Sequence, residues 1–176
     1  TRPEVYDLIE FLNRLGAHIS VPGSGVLEVE GVERLQGGHH VIIYDNMEAM
    51  TFVTFAAITK GRIAINHFPE QDLEIPMIYL RESGIKFIRQ GTTMTVERPE
   101  IITPFDLSTS SYPGINSDMQ PLFVVLATQA HGKSKITDIR FENRFQYVAE
   151  LQKMGANITV ENHTVIVKGP TKLRGV

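Results

Sequence analysis

The chain has 176 residues, with 17 Lys plus Arg against 20 Asp plus Glu and a formal net charge of -3. This charge balance excludes a strongly basic nucleic-acid footprint, and the absence of Cys excludes disulfides, Cys-metal sites and a Cys nucleophile. No apolar run nears the roughly 20 residues of a membrane span, and no signal peptide is visible, so a cytoplasmic protein is expected. The first residue is Thr1, so the encoded N-terminus is expected elsewhere.

The opening stretch Thr1-Arg2-Pro3-Glu4 reads as a capping box with Pro in the first turn. It leads into an amphipathic helix that ends at Gly16. A hairpin follows, with Gly23-Ser24-Gly25 at its turn; that Gly-x-Gly lies between strands rather than before a helix, so it reads as a turn and not a phosphate loop. His39-His40 beside Gly37-Gly38 reads as a solvated turn. His40-Val41-Ile42-Ile43-Tyr44 reads as a strand. Asp45 with Glu48 resembles another capping box, opening an apolar helix that Gly61 closes.

From this point the chain repeats itself. Gly61 and Gly132 are 71 residues apart, as are Gly84 and Gly155, and at the same offset Phe52 meets Phe123, Ala56 meets Ala127, Ile65 meets Ile136, Leu80 meets Leu151 and Val96 meets Val167. Each unit reads as strand, helix, short strand (Arg62–Asn66 or Ser134–Thr137), helix and hairpin, that is βαβαββ. Leu15-Gly16-Ala17-His18-Ile19 parallels Met154-Gly155-Ala156-Asn157-Ile158, so the opening supplies a half-unit, αββ. The expected domains are residues 1–43, 44–107 and 108–176. Phe11, Phe52, Phe55, Tyr79 and Phe123 fall at expected core positions.

Functional candidates are the places where the copies differ. Asp118 stands opposite Met47, and Arg144 opposite Leu73. Both lie at predicted helix N-termini. Ser117-Asp118-Met119-Gln120 reads as a capping box, and the dipole favours a carboxylate there. Arg144 opposes the dipole, so it calls for a substrate anion or a carboxylate partner, with Glu142 as the bland choice. The polar loop from Ser108 to Ser117 leaves room for a ligand. The six histidines show no metal spacing, and no metal or cofactor is expected.

Tyr112-Pro113-Gly114, Ser117-Asp118-Met119-Gln120, Phe141-Glu142-Asn143-Arg144-Phe145, Met154-Gly155-Ala156, Gly31-Val32-Glu33-Arg34-Leu35, Arg2-Pro3-Glu4-Val5 and Lys172-Leu173-Arg174-Gly175 together resemble the UDP-N-acetylglucosamine 1-carboxyvinyltransferases, end to end. The Phe141–Phe145 motif separates this family from its shikimate-pathway relative. The resemblance implies an α+β fold of βαβαββ units in an incomplete inside-out α/β barrel. It makes the chain an internal segment: residues 1–43 would end the first domain of the family, a hinge lies near Tyr44-Asp45, and the rest forms two units of the second.

The implied reaction joins the enolpyruvyl group of phosphoenolpyruvate to the 3-hydroxyl of UDP-N-acetylglucosamine and releases phosphate, in peptidoglycan precursor synthesis. Asp118 matches the family's general base and sugar contact. Arg140 and Phe141 match sugar-binding positions, residue 140 through its backbone, and Arg144 matches a cleft arginine. Asn46, Ser108, Asn116-Ser117 and Arg140 depart from the usual residues. The segment alone is expected to be inactive and prone to self-association through exposed repeat faces. A non-catalytic βαβαββ binding or assembly module and a 3-phosphoshikimate 1-carboxyvinyltransferase-like enzyme are the alternatives.

Overall fold

A computed structural model describes residues 1–23 and 25–175. The chain divides into two compact units, one spanning Thr1–Tyr44 and one from Asp45 onward. The first holds helix α1 (Pro3–Arg14) and strands β1 (His18–Gly23) and β2 (Val26–Glu30). The second holds α2 (Asn46–Ile58), β3 (Ile63–Ile65), a 3-10 turn (Glu70–Leu73), α3 (Glu74–Glu82), β4 (Phe87–Gln90), β5 (Thr93–Val96), β6 (Asp106–Ser108), α4 (Gln120–Ala127), β7 (Gly132–Thr137), α5 (Val148–Lys153), β8 (Ile158–Glu161) and β9 (Thr164–Gly169).

In the first unit β1 and β2 form an antiparallel ribbon, with His18 opposite Glu30 and Ile19 opposite Val29. The expected turn residue Ser24 lies outside the described residues. The N-cap of α1 is Arg2, without a side-chain cap, so the capping box expected from Thr1 does not form; Pro3 takes the first helical position instead. None of the described residues of this unit is fully buried. The expected strand at His40–Tyr44 is absent: Val41 and Ile42 are 74% and 75% exposed and have no strand partner. Alternating apolar residues make a strand only where a second strand accepts their hydrogen bonds. His40 also departs from the solvated turn expected of it. Its side chain is 7% exposed, its Nε2 lies 2.8 Å from Asp7 Oδ1, and its ring lies 5.5 Å from that of Phe11.

The second unit carries the core. Its two sheets have the orders β3-β5-β4 and β6-β7-β9-β8, antiparallel except for the β6–β7 ladder, where Leu107 pairs with Ile136. Helix α2 packs on α4. Met50, Val53, Ala57, Leu73, Met77, Leu80, Val124, Ala127, Ile136, Val165 and Val167 are fully buried. Fully burying one such aliphatic side chain contributes about 1.5–3 kcal/mol.

Asp45 caps α2, as read from the sequence: its Oδ1 accepts from Met47 N at 2.7 Å and Glu48 N at 3.0 Å. Gly84 and Gly155, which follow α3 and α5, have φ of 94° and 96°, the left-handed conformation that a helix terminus asks of glycine. The expected caps at Gly61 and Gly132 fail. Lys60 takes the left-handed position after α2, and Gly132 opens β7, four residues beyond the Thr128 cap of α4.

Phe123 is buried and meets Tyr79 and Phe105 edge-on, with ring centroids at 6.5 and 5.9 Å. Phe52 and Phe55 break the expected pattern, at 42% and 57% exposure. Helix α2 is apolar on nearly every side, and Met50, Val53, Ala56 and Ala57 already fill its inward face.

Candidate functional site

Two connections carry the candidate residues: the loop from β6 to α4 and the loop from β7 to α5. Residues 117–119 form a turn, and α4 begins only at Gln120. The expected capping box from Ser117 to Gln120 therefore does not form. Asn116 caps the preceding turn instead, its Oδ1 accepting from both Asp118 N and Met119 N at 2.9 Å. Asn and Ser are both good caps, and which one serves depends on what else each can reach. Ser117 is drawn inward, where its hydroxyl donates to Asp138 Oδ1 at 3.1 Å.

Asp118 thus lies outside the helix, with its carboxylate facing the second loop. There Arg144, in the turn of residues 142–147 that leads to α5, places Nη2 2.5 Å from Asp118 Oδ1. The arginine answers its unfavourable position with this carboxylate rather than with Glu142. The two side chains are 39% and 50% exposed, so the pair is open to solvent.

Phe141, itself half-exposed, lies beside both arginines: the Arg144 and Arg140 guanidinium carbons are 5.6 and 5.9 Å from its ring centroid. Such contacts contribute roughly 0.5–1 kcal/mol at exposed sites. Arg140 Nη1 donates to Ser111 Oγ at 3.2 Å, tying the two loops together a second time. Its backbone N–H is already given to Asp138 Oδ1 at 3.0 Å, which leaves the carbonyl as the backbone group able to meet a ligand. The structure therefore brings Asp118, Arg140, Phe141 and Arg144 together on one surface.

Sequence reasoning missed the groups behind this surface. Asp138, just after β7, is fully buried, and so is Gln120. Both polar atoms of the Gln120 amide, Asp138 Oδ2 and the Tyr147 hydroxyl are buried without a hydrogen-bond partner among the described residues. Burial pushes the Tyr147 hydroxyl well above the ordinary phenol range; the nearby Gln120 amide opposes this, the Asp138 charge adds to it, and Arg144 opposes it. A signal for Asp138 was present. An Asp followed two and three residues later by free backbone N–H groups is the local pattern of a cap or Asx turn.

No group of three or more His, Asp or Glu among the described residues could hold a metal ion. No described helix is long and apolar enough to cross a membrane. A concavity of about 330 Å³ in the same unit is lined by Tyr79, Asp106, Leu107, Ser108, Lys135 and Thr137, and by none of the four candidates.

An αβαββ copy (α2 to β5) followed by a complete βαβαββ unit (β6 to β9) is the arrangement of an enolpyruvyl-transferase type of fold. The family described as EPSP synthase (3-phosphoshikimate 1-carboxyvinyltransferase) matches residues 1–176, and the chain belongs to it. Among its relatives, a UDP-N-acetylglucosamine 1-carboxyvinyltransferase 1 from Halalkalibacterium halodurans is 38% identical over 98% of this chain and 39% of its own length. A UDP-N-acetylglucosamine 1-carboxyvinyltransferase from Koribacter versatilis is 40% identical over 98% of this chain and 40% of its own. The crystal structure of the enolpyruvyl transferase NikO from Streptomyces tendae superposes with a TM-score of 0.85 at 24% identity, covering 99% of this chain and 42% of that one. EPSP synthase from Acinetobacter baumannii gives a TM-score of 0.55 at 13% identity, covering 99% of this chain and 41% of that one. The chain thus spans about two fifths of the length of the relatives it matches.

Proposed function

We propose that this chain is the part of a UDP-N-acetylglucosamine 1-carboxyvinyltransferase that supplies one wall of its substrate cleft. The observation that carries the reading is the Asp118–Arg144 pair, set at the surface beside Phe141 and Arg140. The names of the relatives at 38–40% identity support the substrate, and the much lower identity to EPSP synthase weighs against shikimate 3-phosphate. Residues 1–43 would be the last half-unit of one domain, and residues 44–107 and 108–176 two units of the next.

In the reaction, the sugar 3-hydroxyl adds to C2 of phosphoenolpyruvate while C3 gains a proton. The tetrahedral product then loses the C3 proton and phosphate to leave the enolpyruvyl ether. Asp118 accepts the hydroxyl proton as the C–O bond forms, a step worth roughly 10²–10⁴-fold. When the sugar engages Asp118, the Arg144 fork keeps the carboxylate oriented, and can turn toward an anionic group. The Arg140 carbonyl and the Phe141 ring flank the sugar. Such an enzyme makes peptidoglycan precursors in the cytoplasm and needs no cofactor or metal. The 176-residue segment, which lacks the opposite wall, has no turnover of its own and self-associates through exposed apolar faces.

The test is phosphate release from phosphoenolpyruvate by the full reading frame that carries this chain. Turnover with UDP-N-acetylglucosamine and none with shikimate 3-phosphate is expected. The reverse preference would assign the chain to the shikimate branch, and no turnover with either would leave a binding or assembly module.

A further inference from the structure

The two loops that present Asp118 and Arg144 meet at one buried group. Asp138 Oδ1 accepts four hydrogen bonds: from Thr109 Oγ1 at 3.1 Å, Ser117 Oγ at 3.1 Å, Arg140 N at 3.0 Å and Phe141 N at 3.2 Å. Two donors come from the loop that carries Asp118, and two from the loop that carries Phe141 and Arg144. Thr109 closes the knot, since its Oγ1 also accepts from Ile139 N at 3.2 Å and its N–H continues the β6–β7 ladder to Thr137 O at 2.9 Å. Asp138 N donates to His163 O at 2.8 Å, which fixes the residue to the β8–β9 hairpin.

A carboxylate enclosed this completely has given up its water. It makes no ion pair with a described residue, so directed donors must hold it. Such a group is costly as a mere filler, and its geometry is demanding, because shifting either loop would strip donors from a buried charge. Its immediate neighbour Ser117 precedes Asp118, and its own loop supplies Arg140 and Phe141. Tyr147 lies within electrostatic reach of both Asp138 and Arg144, so the buried charge and the far half of the surface pair share one surrounding.

We infer that Asp138 is the positioning residue of this site: its buried carboxylate sets the separation and register of the loops 109–118 and 138–144, and thereby holds Asp118 opposite Arg144. It touches neither substrate, and its effect on the reaction passes through Asp118. The functional half of this inference rests on the transferase reading; the geometric half does not.

Two measurements decide it. In the full reading frame, Asp138→Ala is expected to lower kcat on the order of 10²-fold, the cost of a misplacement near 1 Å. This is measured at a temperature where a thermal melt shows the variant folded. Asp138→Asn, whose amide oxygen can still accept, recovers part of the loss. A crystal structure of the Asp138→Ala variant is expected to show Asp118 and Arg144 parted. An unchanged kcat in folded enzyme, or a pair still at hydrogen-bond distance, overturns the inference, since a filler role moves only the melting temperature. If Asp138→Ala does not fold, Ser117→Ala decides. It removes one donor and is expected to lower kcat in the same direction, whereas wild-type kcat with an undisturbed pair overturns the inference. A wild-type protein without turnover would sink the transferase reading alone, and the variant structures would still settle whether Asp138 holds the pair.

Discussion

Replacing Asp118 by Ala separates catalysis from stability. The carboxylate lies outside α4, whose N-cap Met119 has no side-chain cap, and Asn116 Oδ1 meets the Asp118 and Met119 N–H groups of the preceding turn, so the substitution removes no helix cap. It forms an ion pair with Arg144, and both partners are more than a third exposed. Pairs of this kind are worth about 0.2–1 kcal/mol. Asp118→Ala should therefore lower the unfolding free energy of the chain by no more than about 1 kcal/mol, read from urea titration with an unchanged slope. The same change in the full reading frame should cost roughly 10²–10⁴-fold in kcat, read from phosphate release. A double-mutant cycle with Arg144→Ala adds a control: the coupling in stability should again be about 0.2–1 kcal/mol, while in kcat the second substitution should cost less than it does alone. A stability loss of about 2 kcal/mol, the upper range for a cap, together with near-normal turnover would refute the reasoning and make Asp118 a structural residue.

Three further outcomes are expected. Phe123→Ala, which empties a buried site between Tyr79 and Phe105, should destabilise the second unit by about 3–5 kcal/mol in urea titration. Asp45→Ala, which frees Met47 N and Glu48 N, should cost about 0.5–2 kcal/mol in the same assay. Tyr147 holds its proton more tightly folded than unfolded, so its contribution is constant below about pH 10 and stability falls as pH rises past it, by up to about 1.4 kcal/mol per pH unit. Tyr147→Phe should flatten that alkaline loss, as followed by thermal melts from pH 8 to 11; an equal slope in both proteins would contradict the assigned burial.

What the sequence revealed was mostly what short-range chemistry decides. The Asp45 cap and the glycines at 84 and 155 are local, because each depends on a few neighbouring dihedrals and N–H groups. The hairpin β8–β9 was legible from its alternation for the same reason. The offset of 71 residues found equivalent backbone positions but not equivalent burial: Phe123 is enclosed and Phe52, its counterpart, is half-exposed, since what covers a helix face comes from distant elements. The strand expected at 40–44 failed on this ground, its alternation having no partner edge. At the site, the mismatch with the other copy singled out Asp118 and Arg144, but nothing in their spacing of 26 residues said that they touch. Asp138 escaped because only two of its four donors, Arg140 N and Phe141 N, are local; Thr109 and Ser117 come from the other loop, which the β6–β7 pairing brings near.

That parallel pairing also sets when the site can exist. The hairpins β4–β5 and β8–β9 close through short turns and can form in microseconds. β6 and β7 join residues as far apart as Asp106 and Lys135, with α4 between them. Such a closure carries a larger entropic cost and is rewarded only once the helix has docked. The β3–β5 and β7–β9 ladders span similar separations, so the short hairpins are expected to precede all three of these long-range ladders. A chain caught before these ladders close would possess its hairpins and none of the geometry that sets an acid against an arginine.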